Sequence, residues 1–237
     1  MNLKKLLRRS AARKYNYQQD GLWTLHNADF IKESDFARAY DAGVSTGSWG
    51  ESQIQWRVRV ALWAASIGAE LPGDFVECGV NLGGLAKSVV TYLPWRKLNK
   101  KFFLFDTFEG FHRPYLTDSE ASRKLHAEYG QDVYAKAASN FEGVDHIHLV
   151  KGAVPDTLSQ VDIGEVAYLS IDMNCVYPEV EAFRHFKPRL SKGAVVLLDD
   201  YGWTGHEEQK QAFDQLSKEF DLPLLPLPTG QALMINR

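Results

Sequence analysis

A chain of 237 residues with 45% hydrophobic, 12% aromatic and 24% charged side chains is too apolar for intrinsic disorder and long enough for one large domain or two small ones. Its formal net charge of −3, from 27 basic and 30 acidic residues, gives no global pull toward nucleic acid or acidic membranes. Two cysteines, Cys78 and Cys175, are too few for a secreted disulfide framework, and no apolar run approaches the ~20 residues of a membrane span, so free thiols and a cytoplasmic address are expected.

Residues 1–14 hold six basic residues (Lys4, Lys5, Arg8, Arg9, Arg13, Lys14) and no acid, with Leu3, Leu6 and Leu7 at roughly helical spacing. The pattern suits an amphipathic arm for a membrane surface or a partner, or a frayed terminus in solvent. From Tyr15 to Gly50 the chain is polar and aromatic without a sustained period. Residues 1–50 are therefore expected to form an N-terminal arm and helical cap, or lid, ahead of a domain spanning 51–237. Within 51–67 the apolar spacing fits a strand or a helix; length and the Ala61–Ala65 run favour a helix that stops at Gly68.

After Gly73 short apolar runs follow at Phe75–Cys78, Phe102–Phe105, His146–Val150, Val166–Ile171 and Ala194–Leu198, and helix-compatible segments separate most of them. Such alternation predicts an α/β, doubly wound, Rossmann-like sheet with helices on both faces. A helix near Glu207–Phe220 leads to Leu222–Leu227 and Ala232–Ile235, which Pro228-Thr229-Gly230 should join as an antiparallel hairpin, giving seven strands. The 109–140 segment is too long for an ordinary connection and is expected to be an inserted lid or binding loop.

In such a sheet ligands bind beyond the carboxyl ends of the strands. The first run ends in Glu77-Cys-Gly79-Val-Asn-Leu-Gly83-Gly84, where glycines allow close backbone approach. A carboxylate at Glu77 would repel a pyrophosphate, which disfavours NAD, and suits a ligand with a positive amino or sulfonium group, as in S-adenosylmethionine. Asp106, 22 residues after Gly84, is placed to accept hydrogen bonds from both ribose hydroxyls. Gly152 and Ala153 form a small-residue corner that would border an adenine ring, or Gly152 is simply a turn.

Runs four and five end in Asp172-Met173-Asn174 and Asp199-Asp200-Tyr201. Three carboxylates converging with no evident basic partner call for a cation, and an all-oxygen donor set points to Mg²⁺ or another hard divalent ion; alternatively Asp199 and Asp200 cap a helix.

Over about residues 70–237 these motifs resemble the class I S-adenosylmethionine-dependent methyltransferases of the macrocin and mycinamicin O-methyltransferase (TylF/MycF) type. The resemblance is carried by Gly73-Asp-Phe-Val-Glu-Cys-Gly79 with Gly83-Gly84, Phe105-Asp106-Thr107-Phe-Glu-Gly110, Ile171-Asp172 and Leu197-Leu-Asp-Asp-Tyr-Gly202. It implies S-adenosylmethionine at Glu77, Gly79, Gly83, Asp106, Thr107, Gly152, Ala153 and Asp172, and Mg²⁺ at Asp172, Asp199 and Asp200 receiving the acceptor hydroxyls. A homodimer and a small hydroxylated acceptor such as a sugar are implied too. Where members read D-G-D, this chain has Asn174 at the position of the second acid, and an amide is no base at neutral pH. The catalytic set thus centres on Asp172, Asn174 and His206, with Asp172 or His206 as proton acceptor beside a metal that lowers the hydroxyl pKa.

Trp49, Arg57, Phe108, His112 and Arg113 are candidates for the acceptor wall, whereas Trp56, Trp63, Phe183 and Phe186 are expected in the core. His126, His146, His148 and His185 show no ligand spacing. The reading is an O-methyltransferase acting on a hydroxyl of a sugar or related small molecule; the alternative is an S-adenosylmethionine-binding protein with little or no turnover.

Overall fold

Chain order begins with a small hairpin, β1 (Tyr17–Gln19) and β2 (Leu22–Thr24), followed by helices α1 (Ser34–Ser45) and α2 (Gln55–Ala69). These coordinates are a computed structural model that describes residues 15–123 and 130–237. The basic arm (1–14), His126 and the middle of the expected insertion lie outside the described residues.

The central sheet holds β3 (Asp74–Cys78), β4 (Phe102–Asp106), β5 (Ile147–Lys151), β6 (Val166–Ile171), β7 (Leu190–Leu198), β8 (Leu224–Pro226) and β9 (Ala232–Ile235). Their order is β5-β4-β3-β6-β7-β9-β8, with β3 to β7 parallel and β9 antiparallel to both β7 and β8. Helices α3 (Gly84–Tyr92), α4 (Tyr134–Asn140), α5 (Val176–Phe186) and α6 (Glu207–Glu219) complete the layers. No helix among the described residues is long and apolar enough to cross a membrane.

Alternate strand residues point to opposite faces, so each strand feeds two cores. On one face Phe75, Phe102, Leu104, Tyr168 and Leu197 pack with Val58, Leu62, Ala65, Ala86 and Val89 of α2 and α3. On the other, Val76, Phe105, Leu169 and Val196 meet Phe183 and Phe186 of α5 and Phe213 and Leu216 of α6. The doubly wound sheet with its antiparallel end is thus the architecture expected.

Several details differ. Helix α1 lies in the stretch expected to form a helical cap, although no sustained period marked its bounds: Phe36, Ala39 and Gly43 form its buried stripe, and two of the three are small. Phe36 and Ala39 belong to the same core cluster as the sheet. Strand β7 starts at Leu190, four residues before the apolar run, because polar Ser191-Lys192-Gly193 extends the strand across a register shift. The end of the expected insertion is instead the crossover helix α4 between β4 and β5, with Ala137 and Phe141 buried in the core. Trp63, expected inside, is 49% exposed, whereas Phe183 and Phe186 are fully buried.

The sheet order reverses between β3 and β6: β4 and β5 continue to one side of β3, and β7 to the other side of β6. At such a switch point the connections leave in opposite directions and open a crevice beyond the strand ends. Glu77-Cys78-Gly79 and Ile171-Asp172 border it.

Candidate active site

Gly79 joins the two strand ends. Its φ of +91° is one that residues with a Cβ rarely adopt, and a Cβ here would lie 1.8 Å from the Asp172 carbonyl oxygen. The Gly79 amide donates to the Phe105 carbonyl (2.8 Å) and the Asp172 amide to the Cys78 carbonyl (2.8 Å), so three strand ends are tied together. Gly83, also at positive φ, is the residue before α3.

Glu77 faces the α2 and α3 side of the sheet, 2% exposed, and its Oε2 is buried without a hydrogen-bond partner. Burial first, then the charges of Asp106 and Asp199, push its carboxyl well above the usual range. An orphaned acceptor of this kind marks a place where a donor or a positive charge is missing.

Asp106 closes β4, and its carboxylate is largely spent on backbone. Oδ2 accepts the amides of Val80 (2.6 Å) and Asn81 (2.7 Å), and Oδ1 accepts that of Phe108 (2.6 Å). The Thr107 hydroxyl lies 3.3 Å from Oδ1 as well, and a carboxylate offers about four lone-pair sites, so at most about one remains for a ribose hydroxyl where both hydroxyls were expected to bind. Thr107 donates its hydroxyl to the Gly110 carbonyl. Gly152 follows β5, and its amide donates to the Asp106 carbonyl (2.9 Å), which sets the Gly152-Ala153 corner beside Asp106.

Across the crevice, Asp172, Asp199 and Asp200 each present a carboxylate oxygen, all within 4.8 Å of one another. The premise that they lack a basic partner is corrected by Arg57 of α2, whose Nη1 donates to Asp199 Oδ2 at 2.8 Å. Gln231 Nε2 donates to Asp199 Oδ1 (2.7 Å), and the Asn174 amide to Asp200 Oδ2 (2.9 Å). Despite Arg57, burial and mutual repulsion hold Asp172 well above the usual carboxylate range and push Asp200 up to about 7. Glu179 of α5, also buried, is raised by burial and by Asp200. One guanidinium is therefore too little positive charge for four acids, three of them buried and Asp172 partly so, and an all-oxygen set of this kind fits a hard divalent cation.

Asn174 has φ +58°, a conformation that Asn tolerates better than most residues, and its carbonyl accepts from Arg123 Nη1 (3.0 Å). The residue in the place of the second acid thus acts through its backbone, fixing Asp200. His206 precedes α6, its Nδ1 3.0 Å from Gln209 Nε2 and 3.5 Å from Asp200 Oδ1. With the Gln209 amide nitrogen facing it, Nδ1 accepts in the tautomer that carries its proton on Nε2. Burial first, then Arg123, lowers its pKa to about 4. Both the Gln209 contact and burial work against protonation of His206, which was expected as a proton acceptor.

Of the expected acceptor-wall residues, Arg57 enters the acid cluster, and Trp49 packs against Gly43, Gly84 and Tyr40. Phe108 is 1% exposed and belongs to the core instead. His112 packs on Tyr115, and Tyr115 on Tyr177, in an aromatic patch beside the 113–115 turn that Arg113 opens. His146, His148 and His185 stand apart from the cluster. Both cysteines are free and buried, and burial raises their thiol pKa values, so they offer neither thiolate ligand nor nucleophile. Glu179, Gln231 and Asp20 escaped the sequence reading: Glu179 and Gln231 follow no strand end, and Asp20 is distant in sequence.

The sequence pattern of the macrocin-O-methyltransferase (TylF) family matches residues 56–224. A tetracenomycin-C rhamnosyl 4′-O-methyltransferase of Streptomyces olivaceus is 27% identical over 140 residues, 55% of this chain and 54% of that protein. The mycinamicin III 3″-O-methyltransferase of Micromonospora griseorubida is 28% identical over 147 residues, 55% of this chain and 56% of that one. The chain thus spans about half the length of these curated relatives. Among solved structures, the O-methyltransferase NovP superposes with a TM-score of 0.70 at 18% identity, covering 89% of this chain and 99% of its own. The S-adenosylhomocysteine-bound methyltransferase PaMTH1 of Podospora anserina superposes at 0.57 with 13% identity, covering 100% and 96%. These two likenesses are of fold.

Proposed function

The chain belongs to the macrocin-O-methyltransferase (TylF) family, and on that premise we propose that it transfers a methyl group from S-adenosylmethionine to a hydroxyl of a sugar or related small molecule. One observation carries the reading: the Gly79 loop and the Asp172, Asp199, Asp200 cluster lie together at neighbouring strand ends, in contact through Gly79 and the Asp172 carbonyl. The relatives' names, which place their chemistry at rhamnosyl 4′ and mycinamicin 3″ positions, favour a sugar as the acceptor.

When bound, the sulfonium cofactor supplies an electrophilic methyl and a divalent ion supplies Lewis acidity. In this reading Glu77, Gly79, Gly83, Asp106, Thr107, Gly152, Ala153 and Asp172 form the cofactor side. Asp106 works there mainly by fixing the Val80 and Asn81 amides, leaving at most about one acceptor position for the ribose. Asp172, Asp199 and Asp200 would hold Mg²⁺, and Asp172, the acid nearest the glycine loop, takes the proton from the acceptor hydroxyl. Catalysis comes chiefly from holding the oxygen in line with the methyl in a crevice that excludes water. Residues 15–50 and the 109–123 segment serve as its lid, and the two buried thiols suit a cytoplasmic setting.

Incubation with S-adenosylmethionine and a panel of nucleotide sugars and glycosides, with Mg²⁺ or chelator, tests this. Methylated product with S-adenosylhomocysteine release, lost with chelator, is expected. Cofactor binding without product from any hydroxylated acceptor would favour the non-catalytic alternative.

A further inference from the structure

Among the described residues, the N-terminal hairpin is joined to the acid cluster by hydrogen bonds through Arg57. Its turn is Asp20-Gly21, both at positive φ (53° and 71°), the combination that two-residue hairpins of type I′ favour. A charged residue at a hairpin tip is ordinarily solvated, yet the Asp20 side chain is only 9% exposed. Arg57 grips it with a two-pronged contact, Nε to Oδ2 at 2.8 Å and Nη2 to Oδ1 at 3.1 Å. The same guanidinium donates Nη1 to Asp199 Oδ2 at 2.8 Å and lies 5.1 Å from the centre of the Trp203 ring. Asp199's other oxygen is fixed by Gln231.

We propose that Arg57 is a positioning residue that couples seating of the N-terminal hairpin to the orientation of Asp199, so that the acceptor site is complete only when the hairpin turn is docked. A planar guanidinium holds two carboxylates in one fixed plane through paired donors, whereas a lysine ammonium, with three donors on a compact point charge, lacks that fork and its fixed orientation. With Trp203 and Asp199 fixing the plane, the fork is already aligned for Asp20, and little side-chain entropy remains to be lost when the hairpin seats. Coupling of this kind is reciprocal: whatever loosens Asp199 loosens the hairpin, and by the same factor the hairpin governs Asp199. Calling the far end of this link an acceptor site rests on the proposed methyl transfer; the link itself does not.

Hydrogen–deuterium exchange of the 15–25 segment, measured on the full chain, reads the coupling without any substrate. Asp20→Asn and Arg57→Lys should each speed hairpin exchange at least fivefold, the latter although it keeps the charge. Asp199→Asn, a position with no hydrogen bond to the hairpin among the described residues, should speed it at least threefold, and this effect should vanish in an Arg57→Met background. Unchanged or slower exchange in Asp199→Asn, or the same acceleration without Arg57, would overturn the proposal. Cooperative thermal unfolding checks each variant's fold, and calorimetric binding of S-adenosylhomocysteine to the wild type tests the methyltransferase reading separately; if Asp199→Asn fails the fold check, Gln231→Leu, which frees the same carboxylate and spares every charge, gives the deciding reading with the same threefold expectation. Failure of the wild-type protein to bind S-adenosylhomocysteine would count against the methyltransferase reading and leave the exchange result standing.

Discussion

Asp106→Ala removes the one side chain that satisfies three backbone amides of the cofactor loop and its flank. Val80 and Phe108 are 4% and 1% exposed, so their N–H groups have little access to water once the carboxylate is gone. Hydrogen bonds to a charged acceptor contribute ~1.5–3 kcal/mol each, and water entering the vacated space recovers part of three such losses. A net destabilisation of about 3–5 kcal/mol follows, which for a domain of this size lowers Tm by roughly 6–20 °C. Asp106→Asn keeps one acceptor oxygen and should lose about half as much. Urea unfolding of the ligand-free protein measures both, with the m-value unchanged if the transition stays two-state. A loss under about 1 kcal/mol for Asp106→Ala, with S-adenosylhomocysteine binding abolished, would refute the loop-anchoring role and restore Asp106 as a pure ribose ligand.

Gly79→Ala places a Cβ 1.8 Å from the Asp172 carbonyl, a backbone atom that cannot swing aside; the variant should lose about 3 kcal/mol or more and weaken S-adenosylhomocysteine binding together with any metal-dependent stabilisation, as thermal unfolding with each ligand would show. Glu77→Gln probes the buried orphan through pH. Because the native carboxyl is raised above its unfolded value, the native state holds the extra proton. Its stabilising contribution is fully present below about pH 4.3 and is lost as pH rises through the raised value. The ligand-free Gln variant, which does not titrate, should therefore be more stable than wild type at pH 8 by about 1–3 kcal/mol, the gap closing toward pH 4.5. A pH-independent difference in urea midpoints would contradict the assignment.

Much of the fold was legible because β3, β4, β6 and the 194–198 end of β7 are buried on both faces and read as largely apolar runs, with Glu77 and Ser170 as polar breaks. The strand-end acids were legible for a related reason: once strands are placed, a doubly wound sheet dictates where ligands meet the chain. What escaped was stabilised by other means. Asp20-Gly21 is a strong hairpin signal, but the flanking strands have three residues each, too short for alternation to register. Strand β7 extends through Ser191-Lys192-Gly193 because Leu190 pairs with Val166 of β6, the Gly193 amide donates to the Asn236 carbonyl, and the Asn236 side chain donates to the Leu190 and Ser191 carbonyls. Arg57 was visible as a polar residue on an apolar helix; its partners, 37 residues before it and 142 after it, could be seen only in three dimensions. Asn174 read as a lost acid because spacing reports side-chain chemistry, whereas φ +58° shows the backbone demand at that position.

The claim on which the whole account turns is that the crevice between β3 and β6 receives an adenosyl sulfur cofactor. Isothermal titration of the folded, wild-type chain with S-adenosylhomocysteine, run beside NAD⁺ and repeated by thermal unfolding, tests it most directly. The account predicts saturable one-to-one binding of S-adenosylhomocysteine, a stabilisation of about 2.7 kcal/mol at 100 times Kd, and no response to NAD⁺. Absence of heat and of any Tm shift with S-adenosylhomocysteine, or a shift with NAD⁺ instead, would contradict it.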